Sequence, residues 1–519
     1  MEQLRCDVAI LGAGFGGSLM TLVLQRIGLK VVLLDRGAHP RFAIGESSTP
    51  IADLVLRDLA IGYDLPRILP LVKYGTWKQA YPEIVCGLKR GFSYFEHRPG
   101  ERFTPRADHA NELLVAASHD DRRSDTHWLR SDVDTFFAAE AVAAGVPYFD
   151  RTTVTVESTA PWRLLGRRVS DEGGESREGN GENRNAPSDL AITADFVIDA
   201  TGEGGLLSRH LGLEDRREKM RTRSRSIFGH FAGVRRWGEC LTERGASRAD
   251  HPFPCDAAAQ HQVLPHGWMW QLRFDNDVTS VGFMLDTRHH PLDETLSAQD
   301  EWDALLRLYP SIGDQLASAR LVAPEGGLRR TRRIQRWISP AAGRDWALLP
   351  HTAGFIDPLN STGIAHTLCG IERLGRAFET HWKRDSFASE LASYAETVSR
   401  ETEFVDLLIA GCYETFHDFE LFVTYSMLYF AMVTSFEHRR AMGLQPIETA
   451  FLGANEPERW RITQDIHARL RDLLAEPVDR AARRSFEEHV CRQIAPYNVA
   501  GLCDPEVRNM YRYTAADKG

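Results

Sequence analysis

The first 35 residues restrict the fold of this chain more than any other segment. An apolar run leads into Gly12-x-Gly14-x-x-Gly17, an apolar helical pattern follows, and a second apolar run ends in Asp35. This is the strand–turn–helix–strand order of a dinucleotide-binding unit. Gly12 permits the tight turn, Gly14 lets the backbone approach a pyrophosphate, and Gly17 lets the helix pack on the strand. The pattern predicts a dinucleotide site, with Asp35 on the adenosine ribose; a purely structural glycine turn is the alternative.

Composition indicates an ordinary globular chain. Its 519 residues are 43% hydrophobic and 26% charged, which suffices for a large core in two or three interleaved lobes. The formal charge of −10 argues against nucleic acid or a membrane as partner, and we expect neither a membrane-spanning run nor a signal peptide. The eight cysteines are scattered without a C-x-x-C pair, so we expect reduced thiols and a cytoplasmic protein.

The order of secondary-structure patterns predicts an α/β fold. The strand pattern at 195–199 could rejoin the first sheet, so the nucleotide lobe is expected to be discontinuous. Strand patterns also fill 229–286, and the pattern beyond 365 is helical. The Gly-, Glu-, Ser- and Asn-rich stretch 168–188 is typical of a loop insertion. We therefore divide the chain into a nucleotide-binding lobe interleaved with a β-rich substrate lobe (1–380) and a helical C-terminal region (381–519).

A second glycine-containing segment, 354–364, precedes a pattern of helical period. Asn360 is predicted as the N-cap of that helix, which leaves the N–H groups of Ser361, Thr362 and Gly363 free at its start. A helix start favours an anion. The pyrimidine edge of a reduced flavin and a small inorganic anion are both candidates, and a capped core helix is the alternative without a ligand.

These elements together resemble the flavin-binding lobe of aromatic hydroxylases. The matching residues are the Asp199-Ala200-Thr201-Gly202 strand end, the segment ending at Asp357-Pro358, and Arg130 with Asp132 beside the adenosine half. The resemblance implies a Rossmann-like lobe that binds FAD. The expected cofactor-binding residues are Gly12, Gly14, Phe15, Gly17, Asp35, Arg41, Ile44, Arg130, Asp199, Gly202, Asp357 and Ile364.

Within that group, four motifs are similar to those of flavin-dependent halogenases, which are related to the tryptophan halogenases. The similarity is greatest to the phenol-acting branch of this family. They are GESSTP at 45–50, CGLKRGFS at 86–93, GWMWQL at 267–272 and DPLNSTG at 357–363. The second motif sets Lys89 where the family keeps its catalytic lysine. Without the motif, a lysine between strand residues would be read as a solvated surface charge.

The resemblance implies a two-component reaction. FADH2 from a separate reductase reacts with O2 to a flavin hydroperoxide, which oxidises chloride or bromide held by the N–H groups of Thr362 and Gly363. The hypohalous acid reaches Lys89, which delivers the halogen to a small aromatic substrate. Burial beside Phe92 and Phe95 is expected to lower the pKa of Lys89. Glu46 is a candidate for coupling the flavin and halide sites; its alternative is an acid at a helix start.

Two departures from the family pattern affect the expected specificity. The family's W-x-W-x-I-P here continues with Leu272 and Arg273 after the second tryptophan. Trp268 and Trp270 are expected to keep substrate away from the flavin, and same-face core packing is compatible with that role. Losing the proline frees a backbone donor, which puts strict halogenation in doubt. Asn360 replaces a glutamate of tryptophan-acting members, which points to phenols, or to pyrroles.

Other functions stay open on the sequence alone. A flavin-dependent aromatic hydroxylase would leave Lys89 structural, and a flavoprotein without turnover would bind FAD and form no product. The histidines show no H-E-x-x-H or comparable spacing, so no metal site is predicted. Four aromatic residues of the helical region are expected in the core rather than in a substrate pocket: Phe404, Tyr413, Phe416 and Phe419.

Overall fold

The computed structural model describes residues 1–168, 189–446, 448–512, 514 and 516. The expected insertion therefore lies outside the described residues, apart from Arg168, which ends a strand. The fold is mixed α/β, with two large sheets and a helical C-terminal region.

The strands up to residue 199 are β1 Glu2–Leu11, β2 Val31–Leu34, β3 Cys86–Lys89, β4 Gly91–Glu96, β5 Glu112–Ala116, β6 Asp125–Trp128, β7 Tyr148–Phe149, β8 Thr152–Thr159, β9 Trp162–Arg168 and β10 Leu190–Asp199. The later strands are β11 Glu214–Asp215, β12 Ser224–Ala232, β13 Ala259–Leu264, β14 Gly267–Arg273, β15 Val278–Asp286, β16 Arg320–Ala323, β17 Arg329–Arg330, β18 Arg336–Ser339, β19 Trp346–Leu348, β20 Gly354–Phe355 and β21 Met510–Tyr511.

The α-helices are α1 Phe15–Ile27, α2 Pro50–Gly62, α3 Tyr74–Ala80, α4 Arg130–Ala143, α5 Leu206–His210, α6 Trp237–Glu243, α7 Ala298–Leu308, α8 Pro310–Leu316, α9 Pro350–Ala353, α10 Thr362–His381, α11 Phe387–Thr415, α12 Phe419–Ala441, α13 Pro457–Leu473 and α14 Arg480–Ile494.

The first large sheet has seven strands in the order β7-β2-β1-β10-β9-β8, with β19 also beside β10. Strands β2, β1, β10 and β19 run parallel, and the run of almost fully buried residues at the end of β1 suits a parallel sheet covered on both faces. Strand β10 returns from far along the chain to pair with β1, Asp199 opposite Leu11. The expected discontinuity of the nucleotide lobe follows from this pairing, and the domain boundary at residue 380 stays a prediction.

The second large sheet has nine strands, in the order β16-β12-β15-β14-β13-β4-β5-β21, with β17 also beside β12. The motif tryptophans lie on its strand β14. Strand β3 forms a separate two-stranded sheet with β6. Lys89 therefore ends a short strand immediately before β4 of the large sheet.

Two expectations about segments need correction. Helix α12 is long and apolar enough to cross a membrane, whereas no such run was expected; 89% of its most apolar window is buried in the fold, as in a core helix. Cys491 and Cys503 form a disulfide, whereas all thiols were expected to be reduced. The two cysteines are 12 positions apart and meet because the chain turns back after α14.

Candidate active site

The glycine turn is closely packed where the sequence predicted it. A Cβ on Gly12 would lie 2.5 Å from the Ala200 carbonyl oxygen, and one on Gly17 would lie 1.9 Å from the Gly12 oxygen. Gly12 also has a φ of +102°, a conformation that glycine adopts without strain. A Cβ on Gly14 would instead enter the space beside the ends of Arg130 and Asp134, 3.7 Å from each.

Asp35 and Arg41 form an ion pair beside this turn. Asp35 Oδ1 and Oδ2 accept from the Arg41 guanidinium at 2.5 and 2.9 Å, and they also accept from the N–H groups of Gly37 and Ala13. Burial alone would raise the pKa of Asp35, but the guanidinium and the two N–H groups hold it below its usual range. The two residues thus lie together at the predicted ribose end.

Arg130 joins α4 to the cofactor turn. Its guanidinium binds the Asp134 carboxylate in a fork and donates to the carbonyls of Ile44 and Gly45, and it lies 4.9 Å from the centre of the Phe15 ring. Asp134 also accepts from the Phe15 N–H at the start of α1. Sequence reasoning missed Asp134, although its i,i+4 spacing from Arg130 was a signal.

Asp132 was expected beside the adenosine half and instead accepts from the Val85 N–H, just before β3. It lies two positions from Arg130, so on a helix it faces a different neighbour. Its place beside the adenosine half stays a prediction.

Asp199 is fully buried and builds the turn after β10. One of its carboxylate oxygens accepts from Thr201 and the other from the Leu207 N–H. Burial raises the pKa of Asp199 above its usual value. The following Gly202 has a φ of +61° and donates to Thr352 Oγ1, so this turn is fastened to α9.

Asp357 is the centre of a second buried network. Its carboxylate accepts from Ser224 Oγ at 2.6 Å, Tyr413 OH at 2.8 Å, Trp268 Nε1 at 3.2 Å and the Leu359 N–H at 3.1 Å. Burial raises the pKa of Asp357 to about 6 despite these donors. The acid thereby fixes the first motif tryptophan to the segment before α10.

Helix α10 starts differently from the prediction. Asn360 and Ser361 both have left-handed backbone, with φ of 62° and 58°, and Ser361 is the residue before the helix. Asn360 does not cap the helix: its Oδ1 accepts from Tyr94 OH, and its carbonyl accepts from Tyr429 OH. Thr362 and Gly363 are the first helical residues, and a Cβ on Gly363 would meet open space. Ile364, expected near the cofactor, is buried in the next position.

Residues 44–48 form a strap that contacts Arg130, the start of α10 and Lys89. Arg130 binds the carbonyls of Ile44 and Gly45. Ser47 Oγ accepts from Ser361 Oγ at the start of α10, and the Ser48 carbonyl accepts from Lys89 Nζ. These contacts lie within five consecutive residues, about 15 Å of extended chain. The predicted cofactor, halide and lysine sites are therefore neighbours.

Glu46 lies on the strap with 3% of its surface exposed, and its Oε1 is 2.7 Å from His230 Nε2. Its position before α2 is not that of a helix-start acid, because Thr49 caps that helix. His230 stacks edge-on against Phe42. Sequence reasoning missed His230, which is 184 positions away.

Lys89 is completely buried, not solvated. Its ammonium lies 4.2 Å from the centre of the Phe92 ring, and Asp125 is its cross-strand neighbour. Burial, together with the charge of Lys89, lowers the pKa of His127 and of His261 to about 3. Phe95, expected beside the lysine, packs instead on Phe103 and Trp237, because successive strand residues point to opposite faces.

Trp268 and Trp270 share one face of β14, with ring centres 6.1 Å apart. Trp268 contacts His261, and Trp270 contacts Phe228, which in turn stacks on Phe42. The guanidinium of Arg273, at the family's proline position, turns away to the carbonyls of Val234 and Arg235. The tryptophans thus form a continuous series of ring contacts from His261 to Phe228 and Phe42.

A small pocket adjoins Phe92, the aromatic neighbour of Lys89. Helix α12 forms one of its walls, and the start of α2 with β5 forms the other. The lining residues are Thr49, Pro50, Phe92, Val115, Ala117, Tyr429, Phe430, Val433, Thr434, Glu437 and Thr514. The four aromatics expected in the core are buried there and do not line this pocket. The α12 residues were missed, because the sequence does not reveal which face of an almost wholly apolar helix meets a cavity.

Comparisons with known proteins agree with one another. A family model described as tryptophan halogenase matches residues 176–418. The monodechloroaminopyrrolnitrin halogenase PrnC of Pseudomonas fluorescens is 27% identical over 504 residues, 92% of this chain and 83% of that protein. The tetracycline 7-halogenase of Kitasatospora aureofaciens is 29% identical over 422 residues, 80% of this chain and 71% of that protein. The crystal structure of halogenase PltM superposes with a TM-score of 0.81 at 23% identity, covering 98% of this chain and 100% of that one.

Proposed function

This chain belongs to the flavin-dependent halogenase family, and on that premise we propose that it chlorinates or brominates an electron-rich, phenolic aromatic substrate. The observation that carries the proposal is the strap 44–48, which contacts Arg130, the start of α10 and the buried Lys89. A chain that must make a reactive halogen species and pass it to a lysine needs those sites adjacent and enclosed.

The residues around the glycine turn fit FAD. The space that a Cβ on Gly14 would fill lies beside the N-terminus of α1 and the Arg130 guanidinium, where a pyrophosphate is favoured. The Asp35–Arg41 pair would hold the ribose end, and the segment at Asp357 would meet the other half. Halogenase PltM has been crystallised in complex with FAD. When bound in reduced form, FAD would supply two electrons and the halide two more, which together reduce O2, so that one oxygen atom leaves as water and the other forms hypohalous acid.

The start of α10 provides a halide site. The N–H groups of Thr362 and Gly363 have no partner within the helix, because they belong to its first turn. The helix dipole adds a partial positive charge there. A small anion suits this position, since Gly363 has no side chain and the space beside its Cα is open.

Lys89 receives the hypohalous acid and directs it to the ring. The ammonium can donate a hydrogen bond to the oxygen, or the neutral amine can exchange a proton for halogen with release of water. His127 and His261 stay uncharged near neutral pH, because burial and Lys89 lower the pKa of each to about 3. Neither histidine therefore competes with the lysine as a cation in this enclosed space.

The pocket beside Phe92 is the proposed substrate site. Phe92, Tyr429 and Phe430 line it with aromatic surface of the kind that packs on a planar ring. The cavity has room for only about one water molecule, so its walls would have to move apart to admit the substrate. PltM has been crystallised with phloroglucinol, a phenol, and FAD, which is consistent with a phenolic substrate here. Trp268 and Trp270 would exclude the ring from the flavin and so suppress oxygen insertion.

The proposal is tested with purified enzyme, FAD, a separate flavin reductase and bromide against a panel of phenols and pyrroles. Mass spectrometry should detect bromine in the product of at least one phenol, and omission of bromide should abolish that product while flavin oxidation continues. Products that gain only oxygen, with or without bromide, would contradict the proposal and indicate an aromatic hydroxylase. Retention of FAD with no product under any halide would indicate a flavoprotein without turnover.

A further inference from the structure

We propose that His109, Glu112 and His251 bind one zinc ion at a structural site outside the active site. His109 and Glu112 lie in the turn into β5 and at its first residue. His251 lies in the loop between α6 and β13. No metal site was predicted from the sequence, because the ligands come from two segments, 109–112 and 250–251, that lie far apart along the chain.

The donor atoms converge. His109 Nδ1 is 2.5 Å from Glu112 Oε1, and His251 Nε2 is 3.5 Å from Glu112 Oε2. One ligand atom from each of the three residues lies within 4.8 Å of the others. In tetrahedral zinc sites, with bonds of about 2.0–2.1 Å, ligand atoms are roughly 3.3 Å apart. Small side-chain rotations would therefore close the set around an ion.

The surroundings are those of a metal site rather than of a surface cluster. The three side chains are only 4–6% exposed. On the far side of its ring, His109 Nε2 lies 3.3 Å from Asp250 Oδ2. A carboxylate behind a ligating imidazole is the usual way in which proteins orient the ring and set its tautomer.

The ligand chemistry favours zinc. Two imidazoles and a carboxylate are ligands that zinc takes in three-residue sites, with a fourth position for water or for another carboxylate. Asp250 lies on the far side of the His109 ring, so water would take the fourth position. The ion would also balance the buried Glu112 carboxylate, whose desolvation is otherwise costly.

The site is separate from Lys89. Along the β4–β5 pair, Glu112 lies opposite Phe95, whereas Ala116 lies opposite Gly91 near the lysine. Four residues of strand correspond to about 13 Å. The metal would instead fasten the 250–251 loop and the C-terminal segment, because Asn509 donates to the His109 carbonyl and Arg508 lies 3.5 Å from Asp250.

The test uses the full chain without a histidine tag, prepared metal-free and dialysed against zinc. Elemental analysis should give one zinc per chain in the wild type, and zinc should raise the melting temperature of the metal-free protein. His251→Gln should lose the stoichiometric zinc and the zinc-dependent rise in melting temperature. His266→Gln, which changes a histidine of a separate cluster against His289, should behave as the wild type.

Wild-type protein that stays zinc-free, or whose melting temperature ignores zinc, would overturn the proposal. Substoichiometric zinc that is equal in wild type and His251→Gln would mean an adventitious ion only, and would overturn it too. If His251→Gln does not fold, titration of the metal-free wild type with cobalt decides the question. Visible absorption bands of tetrahedral cobalt that saturate at one equivalent would support the site, and their absence would refute it. None of these measurements depends on halogenation.

Discussion

Replacing Asp357 with asparagine should remove a pH dependence of stability. Asp357 is buried, and burial raises its pKa from 3.8 to about 6, against four hydrogen bonds from Ser224, Tyr413, Trp268 and Leu359. An acid whose pKa is raised by folding stays protonated to a higher pH in the folded state than in the unfolded state. The free energy of unfolding is therefore undiminished by this group at low pH. It falls as the pH rises from about 4 through about 6, because ionisation is then easier in the unfolded state than in the folded state.

A pKa raised from 3.8 to about 6 corresponds to ~3 kcal/mol in total, of which ~2 kcal/mol falls between pH 4.5 and 7.5. Asparagine keeps the shape and does not titrate. The substitution can also change the free energy of unfolding by an amount that does not depend on pH. Relative to the wild type, the free energy of unfolding of Asp357→Asn should therefore rise by ~2 kcal/mol between pH 4.5 and 7.5.

The assay is urea unfolding of both proteins at pH 4.5 and 7.5, followed by tryptophan fluorescence. Asp385→Asn, a substitution at an exposed position, is the matched control and should leave the pH dependence of the wild type unchanged. An identical pH dependence of wild type and Asp357→Asn would refute the argument that burial outweighs the four donors.

Three further results follow from the structure. Gly363→Pro removes the N–H of the second residue of α10, so the KM for halide should rise about 10-fold or more, whereas Gly363→Ala should leave it near the wild-type value; equal values in both variants would exclude the N–H as a halide ligand. Trp268→Phe removes the hydrogen bond to Asp357 and should raise the share of oxygenated product measured by mass spectrometry, and an unchanged product ratio would argue against the guard role. Cys491→Ser opens the disulfide between residues 12 positions apart, which should cost about 3 kcal/mol by the chain-entropy estimate; a melting temperature equal to that of the wild type under non-reducing conditions would show that the bond contributes nothing.

The parts of the molecule encoded by local pattern could be predicted from sequence. The close approach of Gly17 to Gly12 is a steric effect between residues five positions apart, and the buried run at the end of β1 marks a parallel strand. The close approach of Gly12 to Ala200 depends instead on strand β10, far along the chain. Burial of Lys89 could be predicted only through the motif around it. The sequence could not reveal that Ser48, 41 positions away, accepts its hydrogen bond.

What sequence reasoning missed depends on contacts between distant segments. Asn360 does not cap α10, because its side-chain oxygen accepts a hydrogen bond from Tyr94, 266 positions away. His230 reaches Glu46 only through the sheet that contains β12. The direction of Phe95 could have been predicted, because strand alternation sets it opposite to Phe92 and Tyr94.

The central claim is that Lys89 delivers halogen from the flavin side to the substrate pocket, and Lys89→Ala tests it most directly. Lys78→Ala is the control, because Lys78 lies in the neighbouring α3 and pairs with Asp275 at a partly exposed position. With FAD, a reductase, bromide and a phenol that the wild type brominates, Lys89→Ala should oxidise reduced flavin at the wild-type rate and form no brominated product, while Lys78→Ala should form it normally. Brominated product from Lys89→Ala at the wild-type rate would contradict the claim.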